Sequence, residues 1–420
     1  MADILEDKHR DRNYDRNPYG THTTADTLRN LGTVMRPYED SHPWINFKVN
    51  LERLSHKSWL LLGEAESKCQ HIAGVPLRPE VAQRLHEIYL SKGVHGTASI
   101  EGNTLSESEV LARIQGELPL PPSREYLGRE IDNIVGACNQ IIEDVIHGRP
   151  LELTPDRIAD FNRQVLTGLD LDDGVIPGKV RNHSVGVLRY RGAPPEDCEY
   201  LLKRMCDWLN SLEVDDGEMS FTVAVLKAIL AHLYIAWIHP FGDGNGRTAR
   251  LIEFQLLVQA GLPLPAAHLL SDFYNKTREA YYRELDRTSR PPYPVERFVH
   301  YAVQGFVDEL RDQLNVIRDE QMQVTWENYV HERFRDQDTP ARRRQKHIVL
   351  DLSFLSKPIP STKLPELSPR VAAAYAGKGQ KTISRDVNTL VEMRLVRRVR
   401  GGLIANKGLI SAFLPLRVDN

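Results

Sequence analysis

The stretch His239-Pro240-Phe241-Gly242-Asp243-Gly244-Asn245-Gly246-Arg247-Thr248-Ala249-Arg250 gathers a titratable base, a hard-oxygen ligand, three glycines and two guanidinium groups. Glycines at alternate positions predict a tight loop from Gly242 to Gly246. An apolar helical run, Ser220 to Ile238, precedes the loop. A second helix, Arg247 to Ala260, follows it and stops at Gly261 and Pro263. Unhindered backbone N–H groups at a helix N-terminus make an anion site, and phosphate is the usual guest. Arg247 and Arg250, three apart, share one side of that helix and add charged donors to the same anion. Asp243 offers an oxygen suited to Mg²⁺, which normally accompanies polyphosphate. His239 belongs to the residue type that titrates near neutrality and can serve as a general base at the loop mouth. Singly, each residue has a structural reading: a histidine beside a proline holds a corner, and Asp-Gly or Asn-Gly makes a turn. In combination they predict phosphate-ester transfer from a nucleotide.

This segment resembles the core motif of the Fic family, His-Pro-Phe-x-Asp/Glu-Gly-Asn-Gly-Arg-x-x-Arg, and matches it at every fixed position. The resemblance implies a protein adenylyltransferase (an AMPylator) that moves AMP from Mg·ATP to a Ser, Thr or Tyr hydroxyl of a target protein, or of itself. It implies that His239 takes the proton from that hydroxyl and that Asp243 holds Mg²⁺. Gly244, Asn245 and Gly246 would cradle the α-phosphate, Arg247 and Arg250 grip the outer phosphates, and Phe241 pack the loop into the core. Tyr281 and Tyr282 are placed close to the purine and its ribose, although either ring could equally be core.

Upstream, Gly96-Thr97-Ala98-Ser99-Ile100-Glu101-Gly102-Asn103 predicts a short segment ending as a helix C-terminus at Gly102. It also resembles the family's inhibitory signature, Ser/Thr-x-x-x-Glu-Gly/Asn. The resemblance implies the subclass whose inhibitory helix precedes the core, with Glu101 pairing with Arg250. The same carboxylate could orient a water that removes AMP from a modified target. Two alternatives stay open. One is transfer of another nucleotide or of a phosphoryl group by the same site; an intact Arg250 favours the ordinary triphosphate orientation over a reversed one. The other is a nucleotide-sensing DNA-binding regulator without catalysis, which would have no need of His239.

The resemblance implies that a mainly α fold holds these residues: a Fic-type helical bundle with a β-hairpin flap, with a small C-terminal winged-helix domain expected beyond it. Residues 1–42, charge-rich and poor in apolar anchors, predict a flexible N-terminal segment, with order beginning at Pro43. The Fic-like region is expected over 43–320. Its helices include Leu77 to Tyr89, Gly128 to His147, and one opened by Thr154-Pro155-Asp156. The flap falls near 178–194, around Val185 to Tyr190, where an exposed edge would suit pairing with a target peptide. Ser271 to Asn275 reads as a cap for the helix carrying Tyr281 and Tyr282, and Val295 to about Glu320 reads as one long helix, with an extension as far as Glu332 left open. The charged stretch 321–345, where Pro340 breaks any helix, reads as a linker. Beyond it, 346–420 reads as three helices and a glycine-tipped hairpin, which resembles a winged helix. From Lys378 to Lys407 there are eight basic residues opposed only by Asp386 and Glu392, a place for a DNA backbone or, alternatively, a protein partner.

The chain has 420 residues, 41% hydrophobic and 26% charged with net charge −3, an ordinary globular composition that argues against bulk neutralisation of nucleic acid. Cys69, Cys138, Cys198 and Cys206 lack Cys-x-x-Cys spacing, which argues against a zinc site or disulfide framework and fits a reducing compartment. No stretch is expected to reach the length of a membrane span, since Lys227 and His232 interrupt the closest one, and no signal peptide is evident. A cytoplasmic protein is the resulting expectation, with self-association left open.

Overall fold

The computed structural model describes residues 35–187, 190–212 and 220–411. Its helices are α1 (Pro37–Ser41), α2 (His56–Gly74), α3 (Pro79–Ile100), α4 (Glu107–Ile114), α5 (Glu125–Ile146) and α6 (Pro155–Leu166). A minimal hairpin, β1 (Gly186–Val187) and β2 (Tyr190–Arg191), leads to α7 (Cys198–Asn210), α8 (Ser220–Ile238) and α9 (Asn245–Gln259). Then come α10 (Leu264–Ala267), α11 (Leu269–Lys276), α12 (Arg278–Thr288) and the long α13 (Val295–Arg333). The C-terminal part holds α14 (Pro340–Leu352), α15 (Pro369–Tyr375), α16 (Gln380–Glu392), β3 (Val396–Val399) and β4 (Gly402–Ala405). The fold is mainly α.

Two hydrophobic clusters organise these elements. One gathers buried side chains between Tyr38 and Ile317, the other between Trp326 and Leu403, and α13 runs from the first into the second. At the centre of the first lies α8, which packs against α9. Contrary to the sequence expectation, α8 is long and apolar enough to cross a membrane. Its side chains are nevertheless mostly buried by neighbouring helices, as suits a core element. The polar His232 within it is satisfied internally by Glu253 and Tyr281. All four cysteines are free and buried, and burial pushes the Cys138 thiol up to about 12, so these groups are packing elements.

Local signals explain several helix ends. Thr154 accepts from the backbone N–H of Arg157 and Pro155 occupies the first turn of α6, where a missing N–H costs nothing. The same chemistry corrects the linker reading. Thr339 accepts from the Arg342 N–H and Pro340 opens α14, so this proline starts a helix instead of breaking one. Residues 321–333 likewise belong to α13.

Further corrections concern the first half of the chain. Packing begins before Pro43: Arg36 pairs with Asp197 at 3.1 Å, the Tyr38 N–H donates to the same carboxylate, and the Tyr38 ring is buried. Residues 1–34 of the expected flexible segment lie outside the described residues. The segment carrying Thr97 and Glu101 is the last turn of a 22-residue helix, α3, which runs through Gly93 and Gly96. A Cβ on Gly96 would collide with the Ser271 carbonyl of α11, so glycine here permits close helix approach. Ser271 to Asn275 is itself helical, within α11, and does not cap α12. The hairpin expected near 178–194 is present as β1 and β2, while Leu188 and Arg189, between them in sequence, lie outside the described residues.

Candidate active site

The loop between α8 and α9 is built by its own side chains. Phe241 is buried, and its backbone forms an antiparallel bridge with Val180. The Asn245 side chain accepts from the Phe241 N–H and donates to the Phe241 carbonyl, both at 2.9 Å. That amide is therefore a brace for the loop, and a role in cradling phosphate is left to the Asn245 backbone. Gly244 takes φ +75° as the residue before the helix, a left-handed conformation that glycine adopts without strain. Helix α9 starts at Asn245, two residues earlier than expected, so Gly246 lies in its first turn.

A cavity of about 950 Å³ opens over this helix start, lined by Glu101, His239, Asp243, Gly246, Tyr281 and Tyr282 among others. The structure thus brings residues from four separate elements to one place. Tyr281 is mostly core: its hydroxyl meets His232 at 2.8 Å and its ring stacks on Tyr274 with centroids 4.9 Å apart. Tyr282 is half-buried, with Arg278 over its ring.

Both arginines are held by carboxylates. Arg250 donates through Nη2 to Glu101 Oε1 at 2.5 Å and to the Thr97 carbonyl at 3.0 Å. Its Nε and Nη1 are buried without a partner among the described residues. Burial pushes the Glu101 carboxyl up, but the Arg250 guanidinium more than offsets this and holds it below the usual range. A Cβ on Gly246 would collide with the Glu101 carboxylate, so that carboxylate lies over the first turn of α9, where an anion belongs. The turn presenting Glu101 is fixed from outside by Arg278, which donates to the Ile100 carbonyl at 2.7 Å.

Arg247 bridges Glu130 Oε1 at 2.7 Å and both carboxylate oxygens of Asp243 at 3.1 Å. Glu130 also accepts from the Asn103 amide at 2.8 Å, tying α5 to the chain just past Glu101. Among the described residues no cluster of three or more His, Cys, Asp or Glu side chains forms a metal site. The Asp243 carboxylate is 45% exposed, which fits a Mg²⁺ held by one protein carboxylate and completed by substrate phosphates.

His239 sits half-buried just past α8 with φ +50°, unusual for a residue with a side chain. Burial pushes its pKa down to about 4; Arg181 acts in the same direction, against the pull of Glu101 and Asp243. The imidazole is therefore neutral at physiological pH. Sequence reasoning missed Glu130 and Arg181. Their partners lie 117 and 58 residues away, and nothing in local spacing marks either one.

The depressed pKa has a thermodynamic consequence. Between about 4 and the ordinary value of 6.5 the unfolded chain binds a proton that folded His239 refuses, so stability rises with pH across that window. His239→Gln is expected to flatten this part of the profile in chemical denaturation compared at pH about 5 and about 7. Equal slopes in both proteins would contradict the assignment.

Comparison with known proteins follows the geometry. Residues 152–257 match the Fic/DOC family profile. The protein adenylyltransferase fic-1 of Caenorhabditis briggsae is 31% identical over 195 residues, covering 46% of this chain and 35% of that relative. The protein adenylyltransferase Fic of Nematostella vectensis is 27% identical over 286 residues, covering 68% of this chain and 63% of its own length. The match thus spans less than two thirds of each of these relatives. A Fic family protein from Desulfovibrio desulfuricans G20 superposes with a TM-score of 0.52 at 18% identity, over 86% of this chain and 95% of that one, which establishes a shared fold. The complete core motif, 239–250, lies within the residues 152–257 that match the family profile.

Proposed function

We propose that this chain is a protein adenylyltransferase that moves AMP from Mg·ATP to a hydroxyl side chain of a protein and is restrained by Glu101. The observation that carries the reading is the cavity itself, lined by a neutral imidazole, an exposed carboxylate, a helix start and Glu101, whose carboxylate is paired with the buried, half-satisfied Arg250. In the proposed reaction the target oxygen attacks the α-phosphorus, the bond to the β-phosphate oxygen breaks, and pyrophosphate leaves. His239 accepts the hydroxyl proton. The α9 N–H groups and the two arginines stabilise charge on the phosphates. Asp243 would hold Mg²⁺, which supplies charge neutralisation between the phosphates when bound. The β1–β2 hairpin beside His239 suits a target segment added by backbone pairing.

Restraint follows from the same geometry. Glu101 occupies the Nη2 donor that Arg250 would offer a terminal phosphate, and its charge lies where phosphate would sit. ATP bound alongside it would have its α-phosphate turned out of line, and misplacement of that kind suppresses a rate strongly. Self-labelling with α-³²P ATP is expected to rise by on the order of tenfold or more in Glu101→Gly. Adding His239→Ala should then remove ~10²–10⁴-fold of it. Equal labelling by wild type and Glu101→Gly would contradict the restraint, and label from γ-³²P ATP or α-³²P UTP would point to another transfer.

We also propose that the C-terminal part is a winged-helix-like unit that binds duplex DNA. Of the two acids that oppose its basic residues, Asp386 is buried and taken up by Arg344, Gln345 and the Tyr375 hydroxyl. Glu392 remains exposed, against exposed Lys378, Lys381, Arg385, Arg398 and Arg400. Lys381, Arg385 and Asn388 follow one another along the solvent face of α16, and Arg398 from β3 braces Asn388 at 2.5 Å. Binding of the full chain to duplex DNA is expected to weaken linearly on logarithmic axes with salt. Lys381→Ala/Arg385→Ala should reduce that slope by about 2, one per lost phosphate contact. No gel shift at low salt would retire this reading in favour of a protein partner.

A further inference from the structure

Arg181 is buried, 5% exposed, in the chain leading to the hairpin, and the carboxylate that buried arginines normally take is replaced here by backbone. Its Nε donates to the His239 carbonyl at 2.7 Å, and Nη1 to the His183 carbonyl at 2.6 Å. Its Nη2 donates to the Ala193 carbonyl at 2.5 Å and, more weakly, to the Ile238 carbonyl at 3.4 Å. The Arg181 backbone N–H adds a bond to the Pro240 carbonyl at 2.9 Å. Three consecutive carbonyls, Ile238 to Pro240, are therefore served by one residue.

Those carbonyls lie at the C-terminal end of α8, where orphan acceptors and a negative dipole end favour a cation. They also bracket His239, whose positive φ is a strained conformation that the surroundings must impose. The remaining two contacts fall on either side of the hairpin, at His183 and Ala193. Gly192 completes the packing: a Cβ there would collide with the His239 Cβ and press on Arg181 Nη2.

We infer that Arg181 is a positioning residue which locks the His239 corner and the base of the β1–β2 hairpin into one register. The inference rests on the transfer reading above for what the register serves. It makes the base and the target-docking edge a single rigid unit, so a peptide paired to the hairpin presents its hydroxyl at a fixed distance from the imidazole. The fork geometry is essential, because an ammonium is a point donor and cannot reach three segments at once. The leftover positive charge has a second effect. Of the groups facing His239, Glu101 and Asp243 favour its protonation, whereas Arg181 opposes it, together with burial. Glu196, before α7, is the acidic side chain whose charge favours the guanidinium of Arg181.

The test compares Arg181→Lys and Arg181→Met in the Glu101→Gly background. Arg181→Lys is expected to lower kcat for AMP transfer on the order of 10- to 100-fold with the ATP KM within about twofold, because orientation and not nucleotide binding is lost. Hydrogen exchange at the amides of His239, Phe241 and Gly242 should accelerate in the same variant. Arg181→Met should add an upward move of the His239 titration, followed by NMR of labelled histidine. Failure of the parent to transfer AMP would sink the transfer reading, yet hydrogen exchange in Arg181→Lys still decides the positioning claim. Should Arg181→Met not fold, Arg181→Lys alone decides. A folded Arg181→Lys with parental kcat or with unchanged exchange at the corner overturns the inference.

Discussion

A guanidinium withdrawn from water needs an anion, and Arg250 is 2% exposed. Glu101 supplies that anion through one nitrogen only, and the Nε and Nη1 donors remain unmatched. An unpaired buried donor costs about 1–3 kcal/mol, so the site is poised for a further acceptor group. The apposition explains much of the surrounding construction. Gly246 must lack a side chain because the carboxylate lies on it, and α3 must end where it does to deliver that carboxylate. Arg278 fastens the last turn of α3 from the far side.

The second arginine is restrained in a comparable way by different residues. Arg247 lies between Asp243 and Glu130, and Glu130 reaches Asn103 in the segment that follows Glu101. Loosening the end of α3 would therefore disturb both arginines, one through Glu101 and the other through Asn103 and Glu130. The imidazole stands apart from this network, on a corner fastened to the hairpin through Arg181. The two arginines and the imidazole are thus anchored by separate sets of contacts.

Much of this was legible in the sequence, and the residues show why. The apolar run Ser220–Ile238 and the cap at Thr154 act through neighbours in the chain, so spacing reveals them. The core motif clusters its chemistry within one loop for the same reason. Gly96 misled because glycine marks both a break and a close helix contact, and only the position of α11 distinguishes the two. Pro340 misled because dense surrounding charge obscured the Thr-Pro start that was recognised at Thr154. Arg181 and Glu130 were invisible because their roles depend on partners brought together by tertiary packing. The Asn245 amide looked like part of a phosphate cradle, since sequence shows the residue type and not the direction of its bonds.

The central claim is that Glu101 and a terminal phosphate compete for the same guanidinium. Calorimetric titration of ATP and ADP into wild type and Glu101→Gly, both with Mg²⁺, addresses it directly. Removing Glu101 should tighten ATP more than ADP, because only the longer nucleotide carries the phosphate that takes over the Arg250 donors. Equal changes for the two nucleotides, or none for either, would contradict the account.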